Sequence, residues 1–251
     1  MSDFKSLDRA FKILFVFSKT DKHLTAETIA ERAGLPRGSV YRYINALIEN
    51  KLLEKDEGKN TFRLGFRLLY FSEIIHYNTT LEKVAQPFME RLAKTLEETV
   101  QLTIRDDLVG IAIHSVESSA PIKVAPPIGG TVPIHAGANN KVILAFVDTS
   151  EWDRVCSHDL QKFTDHTITD IADLKTDLKK IREVGYAFSK EELHMGAWGV
   201  AAPIFNANGK AIASIGVSAP LTKHSELKQQ AAIELTQAYA KKISESLGFF
   251  V

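Results

Sequence analysis

The sequence has almost no cysteine. Its one thiol, Cys156, excludes an internal disulfide and any zinc site built from cysteines. Metal-ligand spacing is missing as well: the eight histidines are scattered, His158 and His166 lie eight apart, and no H-E-x-x-H occurs. Neither G-x-x-x-x-G-K-[ST] nor G-x-G-x-x-G is present, which removes phosphate-loop and dinucleotide-binding readings. No apolar run comes near the ~18 residues of a membrane span. The start, MSDFKSLDRAFKIL, is charged from its third residue and carries no small-residue cleavage site, so no secretory leader is expected. Charge of one sign is lacking too, with 31 Lys and Arg against 31 Asp and Glu. These absences describe a soluble, cytoplasmic protein with no membrane segment, no metal site and no cofactor.

What is present is ordinary for a globular chain of 251 residues: 45% are hydrophobic and 25% charged, so disorder is not expected. The length suits one large domain or two modest ones. The charge, however, is unevenly placed. Residues 1–80 hold 13 Lys and Arg against 10 Asp and Glu, and residues 81–251 hold 18 against 21. A slightly basic module joined to a larger acidic one suggests that the first meets a polyanion.

Three helices open the chain. The first spans 6–18, with Ser6 as N-cap and Leu7, Ala10, Phe11 and Leu14 on one face. The second runs from Thr25 as N-cap to Ala33, with Gly34 at its end. The third begins with Pro36 in its first turn and reaches Glu49. Residues 52–55 and 61–64 then read as a β-hairpin with Gly58 in its loop. Three short helices and a hairpin within about 60 residues is the order of a winged helix-turn-helix. A small helical domain that only dimerises is the competing reading. Arg37, Ser39, Tyr41 and Arg42, at the leading end of the third helix, favour DNA.

From Gly65 the pattern stays helical, and Leu68–Ile75 is apolar enough to need a partner, within its own chain or in a second copy. Pro87 is read as opening a new helix. Beyond Thr99 the period changes to alternation. Strands are expected at 100–104, 108–116, 122–124, 132–134, 186–189, 200–205 and 211–218, and helices at 139–146, 170–183 (capped by Asp170) and 226–247. The predicted fold is α+β: residues 1–64 form a winged helix-turn-helix, 65–86 a helical linker, and 87–251 an α/β effector-binding and oligomerisation domain whose sheet is mostly antiparallel.

Several motifs, in fixed order, carry a resemblance. Ser6-Leu-Asp-Arg-Ala-Phe-Lys-Ile-Leu14, Ile29-Ala-Glu-Arg-Ala-Gly-Leu-Pro36, Ser39-Val-Tyr-Arg42 and Phe62-Arg-Leu-Gly65 are similar to the amino-terminal half of IclR-type bacterial transcription regulators. Pro133-Ile-His-Ala-Gly-Ala138, Lys141-Val-Ile-Leu-Ala145, Ile181-Arg-Glu-Val-Gly-Tyr-Ala187, Gly199-Val-Ala-Ala-Pro-Ile204 and Val217-Ser-Ala-Pro220 continue it. The resemblance implies a homodimer, often paired into a tetramer, with amino-terminal domains on double-stranded operator DNA and GAF-like carboxy-terminal domains holding a small organic effector. One departure is visible: Asn140 stands where the family has Gly before its Lys.

For DNA, Arg37 and Arg42 can pair with guanine or with phosphate. Ser39 and Tyr41 suit phosphate, and Asn45 is either an adenine reader or a solvated residue. In the hairpin, Lys59 and Arg63 reach flanking phosphate unless they are solvated strand charge. For the effector, the run His135–Lys141 brings small residues to a helix start, where N–H groups and the helix dipole favour an anion. Alternatively, Asn139 merely caps the helix and Lys141 is solvated. The family's pocket, carried over, places Ala138, Asn139, Ser189, Gly199, Gly216 and Ser218 around the ligand, with Val124, Val132 and Ala197 as apolar wall. Such a lining suits a small organic acid or an aromatic compound. Trp198 would stack on a ring or belong to the core.

Two other classes compete. Gly216-Val-Ser-Ala-Pro220 has part of a nucleophile elbow but lacks its final Gly, so an enzyme is not expected. A ligand-binding or interaction module without DNA binding is the alternative function, and Arg37, Ser39 and Arg42 argue against it.

Overall fold

The structure, a computed structural model, describes residues 5–18, 20–56, 58–71, 80–121, 123–124 and 127–249. The chain divides into two units, Met1–Thr79 and Thr80–Val251.

In the first unit, α1 (Lys5–Phe15), α2 (Ala26–Ala33) and α3 (Arg37–Glu49) precede a hairpin of β1 (Leu53–Lys55) and β2 (Phe62–Leu64). Ile13, Ile29, Val40, Ile44, Leu53 and Phe62 close one core between them. Thr25 caps α2 as expected, its side chain accepting the Thr28 N–H. Gly34 ends α2 at φ +63, in the left-handed region, and its N–H returns to Ala30 and Glu31. That reversal turns the chain into α3 within three residues. Pro36 precedes α3 rather than entering its first turn, at φ −61 and ψ 133, so Arg37 is the first helical residue. The hairpin is antiparallel, with Glu54 opposite Arg63. Leu24 and Phe62 exchange backbone hydrogen bonds of 3.0 and 2.8 Å, tying the wing to the helices.

Two expectations for α1 are corrected. The helix already includes Lys5, so Ser6 lies inside it rather than at its cap. Its buried face is centred on Ile13, with Ala10 and Leu14 packed beside it as expected, whereas Leu7, Phe11 and Phe15 face outward, with the two phenyl rings stacked at 6.3 Å. Burial in a three-helix core selects only one narrow stripe of an apolar helix, and α1 has apolar residues on more than one. Residues 67–71 are helical, with Leu69, Tyr70 and Phe71 exposed. The remainder of the apolar 68–75 stretch, and residues 72–79 of the expected 65–86 linker, lie outside the described residues.

The second unit is built on a six-stranded antiparallel sheet. Its elements, in order, are α4 (Thr80–Leu96), β3 (Thr99–Asp106), β4 (Val109–Val116), β5 (Thr131–Pro133), α5 (Ala138–Ala145), α6 (Thr149–Cys156), α7 (Ile171–Val184), β6 (Ala187–Lys190), β7 (Ala197–Phe205), β8 (Ala211–Pro220), a 3-10 turn (Leu221–Lys223) and α8 (Glu226–Ser246). The strand order is β5-β4-β3-β8-β7-β6. Alternation along the central strands explains the layers. Val100 and Leu102, Val200 and Ile204, and Ile215 and Val217 pack with α4 and α8 on one face. Gln101, Thr103, Gly199, Ser214 and Ser218 occupy the intervening positions. The opposite face, covered by α5 to α7, is therefore lined by short and polar side chains, which leave room.

Pro87 does not open a helix; it lies within α4. Ala85, Met89, Leu92 and Leu96 are buried against the sheet while Pro87 faces solvent. Packing of the apolar stripe overrides the local break, and the proline sits on the side where a helix bends most easily. Helix α6 was not foreseen: its eight residues contain only one clear apolar anchor pair, Trp152 and Val155. Of the expected 122–124 strand, Lys123 and Val124 are described and are not in a strand, and Ile122 falls outside the described residues.

Candidate functional site

In the first unit, Arg37, Tyr41, Arg42 and Asn45 are exposed on α3, and Ser39 is half-buried, its hydroxyl donating to the Pro36 carbonyl at 3.0 Å. Beside them, the Tyr43 ring is buried and its hydroxyl accepts from Arg9 and from Arg42, each at 3.3 Å. The Arg42 guanidinium also lies 5.2 Å from the Tyr43 ring centroid. Sequence reasoning passed over Tyr43, although the run Tyr41-Arg42-Tyr43 alternates an outward and an inward aromatic about the arginine. Arg9, and then Arg42, pull the Tyr43 hydroxyl down to about 8. Arg42 is thereby held partly in place while it stays exposed.

The wing differs. Arg63 pairs with Glu54 through Nε at 3.1 Å and Nη2 at 2.9 Å, and its guanidinium lies over Phe66. Arg63 is thereby engaged within its own hairpin. Lys59 is exposed in the turn. Asp56, which receives Thr61 Oγ1 at 2.6 Å and His23 Nδ1 at 2.7 Å, braces that turn and is held below the usual carboxylate range, chiefly by the Thr61 hydroxyl.

In the second unit, the small-residue face of the sheet and the start of α5 enclose a cavity of about 300 Å3. The structure brings Val124, Val132, Ala138, Asn139, Ser189, Ala197, Gly199 and Ser218 together around it. Gly216 is not at this wall. A Cβ there would lie 2.3 Å from Asn139 Oδ1, so its bareness seats the Asn139 side chain against the sheet. Ser214 then donates to the Asn139 carbonyl at 2.9 Å. Asn139 thus lies inside the helix, whose N-cap is Gly137. Trp198 packs edge-on against His224 at 5.2 Å and beside Phe188, among the residues facing α4 and α8, and it also borders the cavity.

Lys141 is not solvated. It is 1% exposed, and its ammonium donates to Glu192 Oε1 at 2.6 Å and to Asp177 Oδ2 at 2.7 Å. Glu192 Oε2 accepts the Gly137 N–H at 3.0 Å, and Ser189 Oγ accepts that of Ala138 at 3.3 Å. Two of the donors at the α5 start are therefore engaged from within the protein. Burial pushes the Glu192 carboxyl up, while Lys141 and the Gly137 N–H pull the other way. Gly137 has φ +80 and a Cβ there would fall 2.6 Å from the Leu193 side chain, so only glycine lets the 191–194 loop close on the helix. That loop is pinned from behind: Thr164 and Thr167 donate to the Glu191 and Glu192 carbonyls, each at 2.6 Å. Asn140, in the family's glycine position, donates from Nδ2 to the Ala136 carbonyl at 2.9 Å and so fastens the turn into the helix. No spacing rule links Lys141 to Glu192, 51 residues away, and only the fold joins them.

Ser218 lies within strand β8, opposite Gly199 and Thr99, not on the strand-to-helix turn that exposes a nucleophile. Burial raises the Cys156 thiol. Among the described residues no cluster of three or more His, Cys, Asp or Glu could hold a metal ion, and no helix is long and apolar enough to cross a membrane.

A helix-turn-helix unit followed by a sheet domain with a ligand-sized cavity defines a class of protein: transcription regulators that join a DNA-binding domain to a ligand-binding one. Family models sharpen this. The IclR helix-turn-helix domain matches residues 6–57, and the C-terminal domain of bacterial IclR transcriptional regulators matches residues 75–245. The chain belongs to the IclR family of transcriptional regulators. It is 27% identical over 245 residues to the HTH-type transcriptional repressor AllR of Escherichia coli (strain K12), covering 97% of this chain and 90% of that protein. Over 227 residues it is 28% identical to the regulator KipR of Bacillus subtilis (strain 168), covering 90% of each. The Thermotoga maritima IclR structure aligns with a TM-score of 0.79 at 28% identity, over 97% of this chain and 99% of that one. An IclR homologue from Microbacterium hydrocarbonoxydans, complexed with 4-hydroxybenzoate, aligns at 0.82 and 25% identity, over 96% and 98%.

Proposed function

We propose that this regulator binds double-stranded operator DNA sequence-specifically and that a small organic effector, held in the sheet-domain cavity, modulates that binding. The exposed cationic start of α3 carries the DNA half of the reading. Arg37 and Arg42 are the base or phosphate contacts, with Ser39, Tyr41 and Asn45 beside them and Lys59 and Arg63 on flanking phosphate. The effector is an organic acid or an aromatic compound, and the 4-hydroxybenzoate bound by the Microbacterium homologue supports that range. Val124, Val132, Ala138, Asn139, Ser189, Ala197, Gly199 and Ser218 contact it, and Gly216 acts through Asn139. The outward Leu7, Phe11 and Phe15 of α1 support a homodimer, able to pair further into a tetramer, that presents two reading helices to half-sites. The protein acts in the cytoplasm, as a regulator and not as an enzyme. The effector works by population shift, through unequal affinity for the DNA-competent and DNA-free arrangements.

Fluorescence anisotropy on selected genomic DNA tests the reading. Arg42→Ala is expected to lose about tenfold or more in affinity for the selected site, in line with ~1–3 kcal/mol per base contact. Unchanged selective binding by this variant would remove Arg42 from the reading helix.

A further inference from the structure

We infer that the second unit holds a further small-molecule site, set between the carboxy-terminal ends of α5, α7 and α8, and that it takes an uncharged aromatic compound. The space is a cavity of about 420 Å3 whose wall shares no residue with that of the proposed effector cavity. The two lie at opposite ends of α5: Ala138 and Asn139 border the first, and Phe146, the C-cap, borders the second.

Three phenyl rings make the apolar wall. Phe146 stands edge-on to Phe205 at 5.3 Å and 84°, and Phe205 stacks on Phe249 at 4.9 Å and 29°. All three are only half-buried, whereas Ala202 and Ala240 on the same wall are buried. A row of rings left open to a cavity accepts one more flat ring by the same edge and stacking contacts. The sheet does not fill the space, because β6 pairs with β7 along 198–201 and leaves residues 202–205 on an open edge.

The polar groups at this wall are answered within the protein. Arg182 donates through Nε to the Ala145 carbonyl and through Nη2 to the Val147 carbonyl, and its guanidinium lies 4.6 Å from the Trp152 ring centroid. It thereby satisfies the end of α5, where a cation is favoured. Lys241 and Glu245 face each other at 4.0 Å, one turn apart on α8. Ser244 accepts the Phe205 N–H at 2.9 Å and donates to the Ala240 carbonyl at 2.7 Å. A ligand carboxylate would compete with two carbonyls for Arg182 and would face the carbonyl ends of three helices. An ammonium group would lie beside Arg182 and Lys241. An uncharged ring meets neither cost. Gln237 Nε2 donates to the Val184 carbonyl at 3.0 Å, which leaves Oε1 as an acceptor for one ligand hydroxyl.

The test uses the full-length protein and three compounds that share a naphthalene ring, namely 2-naphthalenemethanol, 2-naphthoate and 2-naphthylmethylamine, titrated by ligand-observed NMR. Gln237→Trp fills the mouth of this cavity, Phe249→Ala removes the stacked ring near the chain end, and Val132→Trp fills the effector cavity instead. The alcohol is expected to bind at least about tenfold more tightly than either charged compound. Its binding should be unaffected by Val132→Trp, lost in Gln237→Trp and weakened about three- to tenfold in Phe249→Ala. Should Gln237→Trp fail to fold, Phe249→Ala decides. Binding that Val132→Trp abolishes and the other two variants spare would place the alcohol in the effector cavity and overturn the inference. Charged compounds binding as tightly as the alcohol, with the same sensitivity to Gln237→Trp, would overturn the ligand class. Binding seen only on dilution of the protein would give this face to a second copy of the chain, and no binding sensitive to either variant would remove the site; each overturns the inference while leaving the effector cavity untouched.

Discussion

Tyr43 places a constraint on Arg42 that an arginine free on a helix surface does not have. Its hydroxyl takes donors from both α1 and α3, so the guanidinium is partly ordered before any DNA arrives. A tyrosine ionising near pH 8 is therefore expected in a spectrophotometric titration, and it should vanish in Tyr43→Phe. His135 gives a second residue-scale expectation. It is 2% exposed, donates from Nε2 to the Gln161 carbonyl at 3.1 Å, and is held below the usual 6.5, chiefly by burial. The unfolded chain then binds the proton that the folded domain refuses, so stability is retained above pH 6.5 and lost as pH falls below it. Thermal unfolding at pH 7.5 and 5.5 should show this acid loss, and His135→Gln should reduce it. The buried triad is the third. Lys141→Ala leaves Glu192 facing Asp177 with no cation and should destabilise the second unit by about 3–5 kcal/mol in urea unfolding, whereas loss of the exposed Arg63–Glu54 pair should cost under about 1 kcal/mol.

At the scale of elements, local chemistry decided some outcomes and packing the others. The Thr25 cap, the Gly34 reversal and the Asp170 cap were legible because each rests on a residue or two acting on its own backbone. Pro87 was misread for the complementary reason: its neighbours Ala85 and Met89 are buried in contacts with residues distant in sequence, which outweigh a local break. Ala10 and Leu14 of α1 pack as expected but Leu7 and Phe11 do not, since the sequence shows which side chains are apolar but not which stripe the other two helices meet. Gly34→Ala tests the local half of this account. A left-handed residue with a Cβ should cost about 1 kcal/mol and lower the melting temperature of the first unit. Melting unchanged in this variant would mean that the α2–α3 turn does not depend on that geometry.

For the whole molecule, the division into a helix-turn-helix unit and an antiparallel sheet unit followed from the switch of period near Thr99, and family motifs ran through both. The cavity was legible only as a transferred set of positions. What those positions could not convey is that Lys141 is buried and that its partners come from α7 and from the loop after β6, because pairs 36 and 51 residues apart leave no trace in spacing. Modulation of DNA binding by an effector requires the two ligands to influence one another equally, so a cavity ligand that changes operator affinity is expected to bind with correspondingly different affinity when operator DNA is present.

Sequence-specific reading of DNA through α3 is the property on which the proposed function turns. Selection and sequencing of genomic fragments at physiological salt, with wild-type protein and Arg42→Ala side by side, tests it most directly. The expected result is an enriched pseudo-palindrome with half-sites about one helical turn or a multiple apart, lost in the variant. Salt-sensitive binding without enrichment, or equal enrichment by both proteins, would contradict it.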